Sequence, residues 1–309
     1  IEMIMPVLDI ILIPFVYPSA WLLKQIRRVG VQRMPNCKAA LINIGVFPIR
    51  DHYYEPQFNY DTNNHSFSRD RFLAGINWNT AGQLENLATF SYTKELNNIP
   101  KSKRDALEFH FNNEAFESGD AEYWYQLIRT IKPRRVIEVG SGYSTLMAIK
   151  AIRKSKEEDC DYTCRHVCIE PYENPWLEDT GVHLIREKVE NLDLSFFSEL
   201  KDNDILFVDS SHIIRPHGDV LFEILELMPS LNKGVIVHLN DIFSPKNYPR
   251  KWLVDEIKFW NEQYLLEAFL SHNSSWEVLG ALNYLHHNYY DALKLVAPYL
   301  SPNSEPGSF

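Results

Sequence analysis

The sequence predicts an α/β fold, a doubly wound, Rossmann-like and mostly parallel sheet with helices on both faces. Short hydrophobic runs alternate with helical patterns from about residue 119 onward, and this alternation is typical of parallel sheets. The first run ends in a glycine turn, "EVGSGYST", that leads into a helix. Because ligands of such sheets bind at the carboxyl ends of the strands, we expect a ligand site at this turn.

The elements follow from the positions of the hydrophobic residues. The first helix stops at Lys132 because the residue before a proline disfavours helix. The predicted strands are Arg135–Val139, His166–Ile169, Val182–Ile185, Asp204–Val208 and Gly234–Leu239. The predicted helices are Ala121–Ile131, Thr145–Lys154, Asp219–Leu231 and Val254–Leu270.

Three regions are predicted, namely an apolar arm (1–35), an extension or substrate cap (36–118) and a ligand-binding domain (119–309). The cap is rich in aromatic and turn-forming residues, so we expect loops there rather than disorder. Its segments "NHSFSRD" and "INWNTAGQL" could close over the active site. No internal repeat is present.

The apolar stretch of the arm, Met3–Leu23, has one charged residue, Asp9, and a basic group follows it. It is nearly long enough to span a membrane, but its three prolines make a straight spanning helix unfavourable. Three interpretations stay open: an arm packed on this protein or a partner, a peripheral anchor in the membrane interface, and a true span.

Composition narrows the class of protein. The net charge of −10 argues against a nucleic-acid partner, because binding to phosphates requires a surplus of Lys and Arg. The four cysteines have no zinc-site spacing and no disulfide pattern. We therefore expect a cytoplasmic location, with the inner face of the membrane as an alternative, and an oligomer is compatible with the sequence.

The glycine turn favours a ligand without phosphate. Thr145 stands where the dinucleotide-binding fingerprint has its third glycine, which weakens an NAD-dependent oxidoreductase. Glu138, just before the turn, would repel a pyrophosphate and suits a cation. Glu170, at the end of the second strand, can accept hydrogen bonds from both hydroxyls of a ribose. A ribose with an amino-acid-like cation describes S-adenosylmethionine; the alternative is a purely structural turn.

Four motifs together, "VIEVGSGYST", "CIEP", "DILFVDSSH" and "GVIVHLNDIF", resemble the class I S-adenosylmethionine-dependent methyltransferases. The last two resemble a bacterial branch, the methyltransferase family 24 type. By this resemblance, residues of the turn and of the strand ends would bind the cofactor: Glu138, Gly140, Ser141, Gly142, Ser144, Glu170 and Asp209. Lys188 and Val189 lie near where an adenine-binding acid often stands in such enzymes, and neither of them is acidic.

Candidate catalytic residues follow the fourth and fifth strands, namely Asp209, His212, His238 and Asp241. Methyl transfer needs an aligned nucleophile and a base for its proton, and His212 beside an aspartate could be that base. His238 lies inside a predicted strand, so a core histidine is its alternative interpretation. A divalent metal such as Mg²⁺ is the competing hypothesis, with Asp209, Asn240 and Asp241 as ligands.

The leading functional hypothesis is O-methylation of a small-molecule or glycosyl hydroxyl. N-transfer is less favoured because the Asn/Asp-Pro-Pro-Tyr motif is missing. The alternative is a non-catalytic S-adenosylmethionine-fold module tethered to a membrane or a multi-enzyme assembly. The segment Pro245–Pro249 is a candidate substrate-side loop. The resemblance also implies a sixth strand at Ser275–Leu285, a helix at Tyr289–Leu300, and a chain that continues beyond Phe309.

Overall fold

The computed structural model of the protein describes residues 4–57, 67 and 69–309. The chain divides into two compact units, Ile1–His65 and Ser66–Phe309. The first unit contains helix α1 (Met5–Val29), a 3₁₀ turn (Val31–Arg33) and helix α2 (Pro35–Ile44). Helix α1 runs without interruption through Pro14 and Pro18. These prolines therefore do not end the helix.

The second unit is built on a sheet of five parallel strands in the order β3-β2-β1-β4-β5. This confirms the predicted fold class. The strands are β1 (Arg135–Val139), β2 (Arg165–Ile169), β3 (His183–Ile185), β4 (Ile205–Val208) and β5 (Ile236–Leu239). The order reverses between β1 and β4, so a ligand crevice is expected at the carboxyl ends of these two strands.

Ten α-helices are described in the second unit. They are α3 (Thr80–Thr89), α4 (Thr93–Leu96), α5 (Asp120–Ile131), α6 (Tyr143–Glu158), α7 (Leu194–Phe197), α8 (Asp219–Leu221), α9 (Met228–Ser230), α10 (Glu262–Leu270), α11 (Leu282–Asn288) and α12 (Tyr290–Val296). A π-helical stretch, Phe222–Leu227, joins α8 to α9. Another, Lys251–Asp255, precedes the loop before α10.

Alternate residues of the strands face two separate hydrophobic cores. Val136, Ile205 and Phe207 pack with residues of α5, α6, α11 and α12 on one face. Ile137 and Leu206 pack with residues of α10 and of the segment from α8 to α9 on the other face. Because both faces are covered, all residues of the central strand β4 are apolar and buried, as in other doubly wound sheets.

Residues predicted as a loop-rich cap include helices α3 and α4, and part of the cap lies in the first core. Leu87 of α3, Leu96 of α4, and Phe109, Phe111 and Phe116 of the following segment are all buried there. These aromatic residues do anchor the segment, as the composition indicated. The closure of "INWNTAGQL" over the active site stays a prediction. Residues 64–66 and 68 of "NHSFSRD" lie outside the described residues.

The predicted sixth strand is wrong. Residues 275–281 have no regular structure and α11 begins at Leu282. The backbone N–H of Ala281 donates to the side chain of Gln83 (2.7 Å), and that of Leu282 donates to Ser308 (2.9 Å). Hydrogen bonds to a side chain and to the tail therefore replace those of a strand. The predicted helix at 289–300 is present as the shorter α12.

The carboxyl-terminal residues lie antiparallel along the end of β5. The backbone N–H groups of Leu239 and Phe309 each donate to the other residue's carbonyl oxygen at 2.8 Å. Ile242 N donates to Gly307 O at 2.7 Å, and the carboxylate of Asp120 accepts from the N–H groups of Gly307 and Ser308. The tail therefore connects the first residue of α5 to the end of β5.

Candidate active site

The glycine turn after β1 lies directly against the loop after β4. Gly140 has a φ of 75°, and a Cβ atom on it would lie 1.8 Å from the carbonyl oxygen of Asp209. The backbone N–H of Asp209 in turn donates to Val139 O at 2.8 Å. Only glycine fits this position, because any side chain would overlap the backbone that carries Asp209.

Glu170 organises the loop after β2 and contacts the glycine turn. Its Oε1 atom accepts from the N–H groups of Tyr172 and Glu173, both at 2.9 Å. Its Oε2 atom accepts from Ser141 N at 3.3 Å. The hydroxyl oxygen of Ser141 is buried and has no partner among the described residues. A carboxylate and an unsatisfied hydroxyl at one cleft fit a polar ligand such as the ribose and amino-acid part of S-adenosylmethionine.

Glu138 is fully buried beneath the turn. Its carboxylate accepts from the hydroxyls of Ser144 and Thr145, both at 2.9 Å, and lies 2.5 Å from Nε2 of His166. Thr145, which breaks the dinucleotide fingerprint, thus holds this acid. Glu138 connects the first turn of α6 to β1 and β2, while its contact and that of Ser144 with the cofactor stay predictions.

His166 is held as a cation by its neighbours. Burial acts to lower the pKa of His166, but Cys168 and Glu138 raise it to about 10. The sequence analysis did not single out this histidine, which lies in β2 two residues before the motif "CIEP". The feature that distinguishes His166 is its pairing with the fully buried carboxylate of Glu138, and such a pairing cannot be read from a single sequence.

Three predicted catalytic side chains meet at the carboxyl ends of β4 and β5. The Nε2 atom of His212 lies 3.2 Å from Asp209 Oδ1 and 3.7 Å from Asp241 Oδ2. His212 and Asp241 both have a φ of 60°, a backbone conformation that is uncommon for residues other than glycine and often found at functional sites. The structure therefore brings together Asp209, His212 and Asp241 as one cluster.

Glu262, at the start of α10, holds the other side of the His212 ring. Its Oε2 atom lies 2.8 Å from Nδ1 of His212, and the two side chains are 1% and 5% exposed. The backbone N–H groups of Asn261 and Glu262 donate to the carbonyl oxygen of His212 at 2.9 and 3.3 Å. Asn261 also accepts from Ile214 N through its side chain. Asn261 and Glu262, at the start of α10, therefore fix both the ring and the backbone of His212.

The pKa values of His212 and Asp241 in this cluster are both raised. Burial acts to lower the pKa of His212, but the hydrogen bonds to Asp209 and Glu262 raise it well above the usual value. Burial, followed by the charge of Asp209, raises the pKa of Asp241 to about 8. His212 is therefore an imidazolium at neutral pH, and Asp241 is the carboxylate of the cluster whose proton exchanges near pH 8.

Two further acids hold the serines that precede His212. Ser210 donates to Glu223 at 2.8 Å, and Ser211 donates to Asp219 at 2.7 Å. Burial raises the pKa of Glu223 well above its usual value, which favours the neutral form of this carboxyl. Glu223 lies in the π-helical stretch after α8, and π-bulges are frequent at functional sites. The sequence analysis did not identify Glu223 and Glu262, since both lie on elements outside the motif "DILFVDSSH".

His238 lies apart from this cluster, in the first core. Its ring packs against Trp124 and Phe207, with ring centroids 5.0 Å apart in both cases. Burial lowers the pKa of His238 to about 3, so it is neutral. This is the environment of the core histidine that the sequence left open as an alternative to a catalytic role.

The donor atoms of the cluster could hold a metal ion. The ligand atoms of Asp209, His212 and Asp241 lie within 4.8 Å of one another. Asn240 is buried, and its Oδ1 has no partner among the described residues; its role as a ligand stays a prediction. A nitrogen ligand beside two carboxylates suits a transition metal better than Mg²⁺, which prefers oxygen ligands alone.

Aromatic side chains of the segment between β5 and α10 border the cluster. The ring of Trp260 lies 4.2 Å from that of His212, and Trp252 packs against Trp260 at 5.0 Å. The predicted helix from Val254 is wrong over its first part, because residues 256–261 form a loop and α10 begins at Glu262. Tyr248, within the candidate substrate-side loop, is fully buried.

The comparisons with known proteins agree with this architecture. Residues 137–242 match the family 24 methyltransferase model, described as a methyltransferase domain. An uncharacterized protein of Archaeoglobus fulgidus is 30% identical over 143 residues, which are 44% of this chain and 63% of that protein. The chain thus matches less than two thirds of that relative's length.

Two solved structures resemble the chain loosely. The O-methyltransferase from Bacillus cereus in complex with SAH is 12% identical and covers 61% of this chain and 76% of that one, with a TM-score of 0.32. The O-methyltransferase TomG from Streptomyces achromogenes, involved in tomaymycin synthesis and in complex with SAM, is 15% identical and covers 62% and 82%, with a TM-score of 0.32. Such overlap says nothing about the acceptor.

The segment that matches the methyltransferase domain, 137–242, contains the last three residues of β1, the glycine turn, Glu170, Asp209, His212 and Asp241. This match confirms the prediction of a methyltransferase domain for this part of the chain.

Proposed function

We propose that the protein transfers a methyl group from S-adenosylmethionine to a hydroxyl of a small-molecule or glycosyl acceptor. The observation that carries this proposal is the cluster of Asp209, His212 and Asp241 beside the glycine turn. Gly140, in the turn proposed to bind the cofactor, contacts Asp209. The proposed cofactor site and the proposed proton-accepting residues are therefore adjacent. S-adenosylmethionine supplies an activated methyl group, so the protein must align the acceptor and accept its proton.

Within the cluster, each residue has a distinct task. Asp241, whose pKa is raised to about 8 by burial and by Asp209, accepts the proton of the acceptor hydroxyl, because a base works best when its pKa is near the working pH. His212, as an imidazolium, donates to Asp209 and keeps both carboxylates in place. This differs from the initial hypothesis of His212 as the base, since the carboxylates around the ring keep it protonated.

A divalent metal is the second proposal for this cluster. If bound by Asp209, His212 and Asp241, it would lower the pKa of the acceptor hydroxyl and so assist its deprotonation. The donor geometry that supports it is the close approach of the three ligand atoms. Turnover that is lost on exhaustive chelation and regained with Mn²⁺ or Zn²⁺, but not with Mg²⁺, would support this variant.

The test is turnover of three single variants with a panel of sugars, phenols and lipid-linked glycans. We expect Asp209→Asn and Asp241→Asn to lower kcat by about 10²–10⁴-fold with little change in the affinity for S-adenosylhomocysteine. Asp179→Asn, an exposed acid, is the control and should keep full turnover. Full turnover of both cluster variants would contradict the proposal. Cofactor binding without transfer to any acceptor would favour the non-catalytic module instead.

A further inference from the structure

The apolar part of helix α1, Met5–Leu23, contains one charged residue, Asp9, and has no continuous polar face. Ile10–Ile13 are four consecutive apolar residues, and Phe15–Tyr17 follow after Pro14. Because successive side chains of an α-helix point about 100° apart, these runs cover the whole circumference. A helix that lies in the membrane interface needs a charged face opposite an apolar one, and α1 lacks it. Among the described residues, α1 is also the one helix that is long and apolar enough to cross a membrane.

The length of the apolar part matches a bilayer. Met5–Leu23 is continuous helix and is about 28 Å long at 1.5 Å per residue, close to the roughly 30 Å of a hydrocarbon core. Pro14 and Pro18 do not interrupt it, as is common in transmembrane helices. Tyr17 and Trp21 lie near its carboxyl end, where aromatic side chains mark the membrane–water interface.

The charges around α1 are strongly asymmetric. Lys24, Arg27, Arg28, Arg33, Lys38 and Arg50 follow the apolar part, and no Asp or Glu occurs between residues 10 and 50. The chain as a whole has a net charge of −10, so this basic segment is a local exception. Glu55 pairs with Arg27 at 2.9 Å and with Arg50 at 3.4 Å. Lys24, Arg28, Arg33 and Lys38 have no acidic partner within 4.0 Å in the described part of the chain.

We propose that α1 crosses a lipid bilayer once, with its basic carboxyl end on the cytoplasmic side. The basic flank of a membrane helix stays in the cytoplasm and is attracted to anionic headgroups there. The methyltransferase unit follows this flank and lies on the same side. This inference is independent of the proposed function, because it rests on the first unit alone.

The test uses the full chain in a bacterial host with a carboxyl-terminal reporter. A green fluorescent protein fusion should fluoresce, and an alkaline phosphatase fusion should be inactive, because the former works inside the inner membrane and the latter outside it. The protein should stay in the membrane pellet after alkaline carbonate and leave it only with detergent. Release by carbonate, a soluble chain, or removal of α1 by signal cleavage would each overturn the proposal.

Two sets of variants and one control set complete the test. Ile11→Arg with Leu12→Arg places charges in the middle of the span, and we expect the membrane-bound fraction to fall about tenfold. Lys24→Gln with Arg28→Gln and Arg33→Gln should allow a part of the chains to insert with the opposite orientation, so that the phosphatase fusion gains activity. Arg69→Gln with Lys103→Gln and Arg104→Gln removes three distant exposed cations and should change nothing. Equal effects of the two charge sets would contradict the assigned orientation.

Discussion

The Nδ1 atom of His212 lies 2.8 Å from the Oε2 atom of Glu262, while Nε2 of the same ring faces Asp209 and Asp241. One imidazolium thus joins a carboxylate of helix α10 to two carboxylates at the ends of β4 and β5. The backbone of His212, at a φ of 60°, is held by the same residues that begin α10. In the proposed reaction, Glu262 would therefore act through His212, as a positioning residue.

We expect Glu262→Ala to lower kcat by about 10²-fold, because a ring free to rotate no longer fixes the two aspartates. Glu262→Gln keeps an accepting oxygen at the same place and should retain more turnover than the alanine variant. Cofactor affinity, measured by calorimetry with S-adenosylhomocysteine, should be unchanged in both. Equal losses in the two variants together with weakened cofactor binding would indicate a structural role only.

A pair of glycine variants separates steric overlap from backbone strain. Gly140 and Gly181 have similar φ values of 75° and 79°, but a Cβ atom on Gly181 would meet nothing within 4 Å. Gly181→Ala should cost about 1–2 kcal/mol of unfolding free energy from its left-handed backbone alone. Gly140→Ala should cost about 1–3 kcal/mol more, because its Cβ displaces the Asp209 carbonyl. Urea unfolding of both variants checks this, and equal losses would refute it.

Glu170→Ala should weaken S-adenosylhomocysteine binding by about 1–3 kcal/mol, the scale for losing hydrogen bonds to a charged group. The carboxylate also holds the loop after β2, so part of the loss would come from a less ordered site. Glu173→Ala removes an exposed acid of the same loop and is the matched control. Unchanged affinity of the Glu170 variant would remove the ribose assignment.

His238 predicts how stability depends on pH. Burial lowers its pKa to about 3, so in acid the unfolded chain binds a proton there and the folded chain does not. As pH falls from about 6.5 towards 3, His238 should reduce the unfolding free energy by up to about 1.4 kcal/mol per pH unit. His238→Phe should show a shallower fall over this range. Urea unfolding at pH 8, 6 and 5 measures it, with the value at pH 8 giving the packing change. If the unfolding free energies of the unsubstituted protein and of His238→Phe fall in parallel with pH, His238 is not a buried neutral histidine.

The strands and the sequence-local part of the site could be predicted because their signals are short-range. Runs such as Ile205–Val208 are apolar and β-branched or bulky, and they are buried on both faces of the sheet. Since the carboxyl ends of parallel strands meet at one edge, Asp209 and Asp241 were expected to converge, and they do. The positions of these acids required only strand boundaries and parallel order.

The remainder depends on contacts between distant segments. Glu262 lies 50 residues from His212, and nothing in its local sequence indicates that it is buried. The residues before α11 alternate in polarity as a strand would, yet Gly280 packs against the ring of Tyr123 and Ala281 bonds to Gln83.

The pairing of Phe309 with Leu239 has a practical consequence. Residues 307–309 bond to Leu239 and Ile242, the residues on either side of Asn240 and Asp241, so proteolytic loss of these three residues would remove support from the strand end that bears the proposed proton acceptor. Mass spectrometry of purified samples should therefore confirm that residues 307–309 are intact before turnover is compared.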